Sequence, residues 1–200
     1  MEDLFLLRYF LAGFFTFVAV FYTALIQHKK RSHQPVVTMG PTYSCHWWNH
    51  LAFRVFRAAI WLVSVLIALH PPVYDYLLPL EGLRIVSLQW TGAALLLIGF
   101  SIAVGANFSL GKQWRSGILD YETHALVEQG LYRISRNPGY IGVAIAQVGF
   151  LLALPSLFSL ICLLVGLAAL HKQTQLEEAF LNARYKERYL AYQNLVPRWL

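Results

Sequence analysis

Long apolar runs limit what this sequence can fold into more than any other feature. Residues 4–26, 51–69 and 85–106 are almost free of charge, and each is close to the about 20 residues that a helix needs to cross a bilayer. Of the 200 residues, 58% are hydrophobic and 13% are charged, against about 25% charged residues in soluble domains. The sequence therefore predicts an all-α, polytopic membrane protein. A soluble helical domain would need polar faces that most of these runs lack.

The first run, residues 4–26, contains Arg8 as its only charge. It is too long and too aromatic for the core of a signal peptide, and no small-residue cleavage site follows it. We expect it to be retained as the first transmembrane helix. The third run carries Gly92, Gly99 and Gly105 about two turns apart, a spacing that favours close helix–helix contact in lipid.

Two shorter apolar runs, residues 141–154 and 157–170, are separated by a Pro-Ser break. Each is near the lower limit for crossing a membrane, so the pair predicts a tight helical hairpin. The whole chain then has about five transmembrane helices. The polar tail that follows keeps a helical pattern as far as Pro197.

The basic residues predict the orientation of the chain. Lys and Arg cluster at residues 29–31, in the segment 112–136 and in the tail, whereas acidic residues mark the start of the chain and the loop with Asp75 and Glu81. Because cytoplasmic loops are enriched in Lys and Arg, we expect the N-terminus outside and the C-terminus in the cytoplasm of a multi-pass protein. The net charge of +6 is scattered, which favours contact with membrane lipids and no nucleic-acid partner.

The longest polar interruption precedes the hairpin. Residues 124–140 read HALVEQGLYRISRNPGY. Asn137 before Pro138 predicts a helix start with Asn137 as the N-cap, and the N–H groups of such a start can hold an anion. Arg133 and Arg136 can serve a ligand or can simply reach the membrane surface. The residues alone leave both interpretations open.

A second polar block, residues 173–192, follows the hairpin. Glu177 and Glu178 stand just beyond the apolar run, where two adjacent carboxylates are costly to bury without a cation. They can be solvated acids on an interfacial amphipathic helix. A cationic ligand accounts better for acids so close to an apolar helix end.

These motifs resemble those of a known superfamily. The first group reads LGxxW and HxLVxxGxYRxxRxPxY, and the second reads EExxL, a Tyr-rich stretch and VPRW. In this order they are similar to the isoprenylcysteine carboxyl methyltransferase and phospholipid methyltransferase superfamily of membrane enzymes. The resemblance extends over residues 110–199, and the first two helices contain no matching motif.

The resemblance implies an integral-membrane methyltransferase with S-adenosyl-L-methionine as donor in a cytoplasmic pocket. The implied acceptor is lipophilic, such as an isoprenylcysteine carboxylate or a related lipid. The implied cofactor contacts are Arg115, His124, Ala125, Leu126, Val127, Tyr132, Asn137, Pro138, Gly139, Tyr140, Glu177 and Glu178. The implied catalytic set is Arg136, Asn137, Gln173 and Glu177. Residues 1–106 then form an N-terminal three-helix region, and residues 107–200 form the catalytic region with the cofactor loop, the hairpin and a C-terminal amphipathic helix.

The chain departs from the family pattern at two positions. Asn137 replaces a His that usually precedes the Pro, and an amide cannot relay a proton by titrating. Gln173 replaces an Arg that meets the substrate carboxylate in the prenylcysteine enzymes. These changes leave the acceptor open.

Two other functions fit the sequence less closely. Sterol reductases have a related C-terminal architecture and bind a nicotinamide cofactor, but they are usually longer. A non-catalytic, lipid-binding membrane protein is the third alternative. His46 and His50 follow Cys45 at spacings that can serve a metal, but no further ligand is near in the sequence, so we predict no metal site.

Overall fold

The computed structural model describes residues 2–30, 41–111 and 126–200. Within these ranges the chain forms six α-helices and three short 3-10 helices. The α-helices are α1 (Glu2–Lys30), α2 (Cys45–Leu69), α3 (Val86–Leu110), α4 (Pro138–Ala153), α5 (Leu157–Tyr185) and α6 (Glu187–Leu195). The 3-10 helices are Pro71–Leu77, Glu81–Leu83 and Gly130–Arg133.

The predicted all-α polytopic membrane fold is confirmed. In the described part of the chain, α1, α2, α3 and α5 are long and apolar enough to cross a membrane. Helix α4 is apolar but has only 16 residues, about 24 Å at 1.5 Å per residue. It therefore depends on its neighbours for its position in the bundle.

The helix boundaries differ from the predicted ones in three places. Helix α2 begins at Cys45, where the hydroxyl of Ser44 accepts a hydrogen bond from the backbone N–H of Trp47. Trp47 and Trp48, which precede the apolar run 51–69, therefore lie in the helix. Helix α3 extends to Leu110. Helix α5 continues from the hairpin into the polar tail and ends at Tyr185, where the C-cap residue Lys186 has a left-handed φ of 48°.

Small residues bring α3 and α4 into close contact, as the sequence predicts. A methyl group added at Gly92 or Gly99 would overlap backbone atoms of α4, and one added at Gly142 would overlap backbone atoms of α3. Gly105 differs, because it faces only the side chain of Leu131. Close backbone approach of this kind is the usual way in which helices associate in lipid.

The predicted break at Pro155 is fixed by the segment between α2 and α3. The hydroxyl of Tyr74 and the backbone N–H of Leu80 donate to the carbonyl oxygen of Pro155 at 2.8 and 3.0 Å. Ser156 and Ser159 form a capping box that starts α5. The end of α2 is thus attached to the hairpin turn, and the start of α2 lies beside the polar half of α5 at the opposite end.

Candidate functional site

The loop before α4 is attached to the C-terminal tail. The backbone N–H of Arg136 donates to the carbonyl oxygen of Pro197 at 3.0 Å, and the hydroxyl of Ser135 donates to that of Arg198 at 3.2 Å. Ser135 is almost fully buried, at 1% exposure. The loop before α4 and the C-terminal tail, about sixty residues apart in sequence, are therefore held side by side by hydrogen bonds.

Asn137 stands at the N-cap position of α4, but its side chain makes no capping bond. Its Nδ2 instead donates to Oε1 of Glu178 at 3.2 Å and to the carbonyl oxygen of Arg198 at 3.1 Å. The predicted side-chain cap is thus replaced by contacts to the tail and α5. The N–H groups of Tyr140 and Ile141 bind the carbonyl oxygen of Asn137, which leaves little of this helix start for an anion.

Glu178 is compensated by two guanidinium groups. Arg198 Nη2 lies 2.8 Å from Oε2 and Arg136 Nη2 lies 3.4 Å from Oε1. The side chain of Glu178 is only 7% exposed. The sequence favoured a cationic ligand beside the two acids, whereas for Glu178 the protein itself supplies the cations, so this residue anchors the tail to α5.

Glu177 has a different environment. Its Oε1 accepts hydrogen bonds from the hydroxyl of Tyr140 at 2.5 Å and from Nε2 of Gln173 at 2.9 Å. Both donors are uncharged. Within the described ranges, no cation pairs with Glu177 and no group donates to its Oε2. A carboxylate so placed can attract a cationic ligand.

Asn49 of α2, which no sequence motif indicated, extends this hydrogen-bond chain. Its Nδ2 donates to Oε1 of Gln173 at 3.0 Å and to the carbonyl oxygen of Ala169 at 3.1 Å. Gln173 in turn holds Glu177. No motif covers the first two helices, so only an excess of polar residues at the start of α2 could have pointed to Asn49.

Tyr132 lies between the loop and α6. Its carbonyl oxygen accepts a hydrogen bond of 2.6 Å from the hydroxyl of Tyr192. Burial raises the pKa of the Tyr132 hydroxyl, and the nearby carboxylate of Glu177 raises it further. Tyr132 therefore stays neutral and can offer its ring and hydroxyl to a ligand.

The other predicted site residues have the following positions. Leu126 is buried in a cluster with Tyr189, Tyr192 and Val196. Val127 and Gly139 are half-buried, and Pro138 is the buried first residue of α4. Arg115, His124 and Ala125 lie outside the described residues. The structure thus brings together Arg136, Asn137, Tyr140, Gln173, Glu177 and Glu178.

His46 and His50 lie one turn apart on α2, with ring centroids 4.5 Å apart. Asn49 stands between them on the same face of the helix. In the part of the chain that the structure describes, no three His, Cys, Asp or Glu side chains are grouped so as to hold a metal ion.

The fold and the site together define a class: a multi-pass helical membrane protein with a polar, carboxylate-bearing site where α2, α4 and α5 meet. The family model for phospholipid methyltransferases matches residues 88–188, half of the chain, and the chain belongs to that family. The match supports a membrane methyltransferase and confirms the superfamily that the motifs indicated. No curated protein and no solved structure gave a significant match. Asn49, Tyr192 and Arg198 lie outside the matched range.

Proposed function

We propose that this protein is an S-adenosylmethionine-dependent methyltransferase acting on a lipophilic acceptor, such as an isoprenylcysteine carboxylate or a related lipid. The observation that carries the proposal is the environment of Glu177. Two neutral donors occupy its Oε1, and within the described ranges no Lys or Arg forms an ion pair with it. The adjacent acid, Glu178, differs because two arginines of the protein pair with it.

The residues around Glu177 suit such a cofactor. Glu177 would hold its α-amino group by a charge-assisted hydrogen bond. Tyr132 and Tyr140 offer aromatic faces beside the carboxylate, and residues 124–127 would contribute backbone groups to the adenine. When bound, the cofactor supplies a methyl group on a positively charged sulfur. The chain's part is to align the acceptor with that methyl group and to exclude water.

We propose that this end of the bundle faces the cytoplasm, with the N-terminus outside. Arg136, Arg188 and Arg198 lie at this end together with the start of α2, in agreement with the excess of basic residues on cytoplasmic loops. The cofactor would then enter from water. A lipophilic acceptor would enter sideways between the helices.

Binding of S-adenosylhomocysteine to the full-length protein in detergent, measured by calorimetry, tests the proposal. We expect wild-type protein to bind and Glu177→Gln to bind roughly ten- to a hundredfold more weakly, because a hydrogen bond to a charged group contributes about 1.5–3 kcal/mol. Glu187→Gln is the matched control, since Glu187 is exposed in the first turn of α6. Lack of binding by wild-type protein would overturn the proposal, and stabilisation by NADPH instead would indicate a reductase.

A further inference from the structure

The two histidines at the start of α2 carry an inference beyond the cofactor site. Both ring nitrogens of His46, and Nε2 of His50, are buried, and none has a hydrogen-bond partner within the described ranges. His50 is only 9% exposed. A buried polar group left without a partner costs about 1–3 kcal/mol. Such a pair is costly to keep for packing alone, and an apolar pair of similar size would fill the space without this cost.

The position of the pair relates it to Glu177. Asn49, between the two histidines, is bonded to Gln173, which is bonded to Glu177. His46 itself lies within electrostatic range of the Glu177 carboxylate. The pair therefore borders the place proposed for the cofactor, on the side formed by α2. Helix α2 lies outside the range matched by the family model.

We propose that His46 takes a proton from the group that is to be methylated. That group must therefore be one that loses a proton before it can attack the methyl carbon. The inference rests on the proposed methyltransferase function and narrows its acceptor. A carboxylate needs no base, whereas an ammonium group does.

Other groups near the site are less suited to this role. Oε1 of Glu177 already accepts two hydrogen bonds, and its charge is needed for the cofactor. His50 lies one turn farther into the apolar part of α2.

For an ammonium acceptor, methyl transfer begins with the loss of a proton from the acceptor nitrogen. The acceptor nitrogen gives one proton to a ring nitrogen of His46, which becomes an imidazolium. The freed lone pair forms the bond to the methyl carbon, and the electron pair of the carbon–sulfur bond goes to sulfur. The products are a methylated ammonium group and a neutral thioether, and the imidazolium releases its proton to water.

The experiment measures transfer from methyl-labelled S-adenosylmethionine to phosphatidylethanolamine vesicles and, separately, to farnesylcysteine. We expect wild-type protein to methylate the amine lipid, and His46→Gln to lower that rate by at least a hundredfold, within the range for general-base catalysis. Binding of S-adenosylhomocysteine by the variant should stay within twofold of wild type. His28→Gln is the control, because His28 is exposed near the end of α1.

Two further readouts separate a proton acceptor from a structural residue. Added imidazoles should restore transfer by His46→Gly in the order of their basicity. In ¹⁵N-histidine spectra of wild-type protein saturated with S-adenosylhomocysteine, amine-lipid vesicles should shift a signal that is missing in His46→Gln.

Three results would overturn the inference without touching the proposed function: unchanged transfer by His46→Gln, absence of rescue in a variant that still binds S-adenosylhomocysteine, or transfer by wild type to farnesylcysteine only. Failure of wild-type protein to bind S-adenosylhomocysteine would instead defeat the proposed function itself.

Discussion

The hydroxyl of Tyr140, in the first turn of α4, donates a 2.5 Å hydrogen bond to Oε1 of Glu177, in the second half of α5. This bond joins the two polar blocks that are separated in sequence by the apolar hairpin. Gln173 donates to the same oxygen. The two bonds fix the carboxylate and direct its other oxygen away from both donors.

Replacing Tyr140 by Phe tests whether this orientation matters. We expect the affinity for S-adenosylhomocysteine to fall roughly tenfold, because the carboxylate loses a bond worth about 1.5 kcal/mol. The fold should be kept, since the ring remains. Calorimetry on Tyr140→Phe and on Tyr76→Phe, whose side chain is 85% exposed, gives the comparison. Equal affinities would show that the bond does not position Glu177 for a ligand.

The arginine cluster around Glu178 predicts that two ion pairs at the same end of the protein contribute differently to the free energy of unfolding. Arg198→Ala leaves the buried Glu178 with one charged partner, Arg136, and the amide of Asn137, so we expect the free energy of unfolding to fall by about 1–3 kcal/mol. Arg188→Ala breaks an exposed pair with Glu128, for which about 0–1 kcal/mol is typical.

Denaturant unfolding of both variants in the same detergent measures the two losses. A loss for Arg198→Ala no larger than that for Arg188→Ala would mean that the tail is held by its backbone bonds and not by the cluster. A double variant with Glu178→Gln should recover part of the loss, because the buried charge is then removed.

The class of fold and much of the site could be predicted from the sequence. Apolar runs report directly on membrane helices, and the order of the motifs around Pro138 and Glu177 indicated the family. The energy of burying two adjacent acids predicted a cation near Glu177 and Glu178, but not that Arg136 and Arg198 supply it to Glu178. The fold class and the family could be predicted because apolar runs and short motifs are visible in the local sequence.

Other features depend on contacts between distant segments. The bond from Asn137 to Glu178 in place of a cap, and the role of Asn49, become visible only when α2, the loop and the tail are packed together. The helix boundaries were missed for a related reason. Polar residues continue α5 to Tyr185, and Glu178 among them contacts the loop and the tail, so hydropathy alone places the end of that helix too early.

Tyr192 predicts how stability depends on alkaline pH. Burial, with a smaller effect of Tyr189, raises the pKa of Tyr192 from 10.0 to about 12. A raised folded-state pKa favours the neutral hydroxyl, which donates to the carbonyl oxygen of Tyr132. Its contribution is therefore complete below pH 10.0 and is lost as the pH rises to about 12.

Unfolding measured at several pH values should show this loss in wild-type protein and a smaller one in Tyr192→Phe. At neutral pH that variant should be less stable by about 0.5–1.5 kcal/mol, the usual contribution of one hydrogen bond. Tyrosinate absorbance should titrate at higher pH in the folded protein than in denaturant. Identical pH profiles for the two proteins would contradict this account of Tyr192.

The close contact between α3 and α4 predicts that a methyl group added at Gly99, away from Glu177, weakens binding of S-adenosylhomocysteine. Gly99→Ala would place a Cβ against backbone atoms of Gly142 and Ala146, so we expect a loss of about 1–3 kcal/mol in the free energy of unfolding. Because α4 carries Tyr140, a shift of this helix should also weaken S-adenosylhomocysteine binding. Gly13→Ala is the matched control, since nothing lies within 4 Å of its added methyl group, and alanine favours a helix by about 1 kcal/mol. If Gly99→Ala matched Gly13→Ala in stability and in binding, the close packing of α3 on α4 would not be what positions Tyr140.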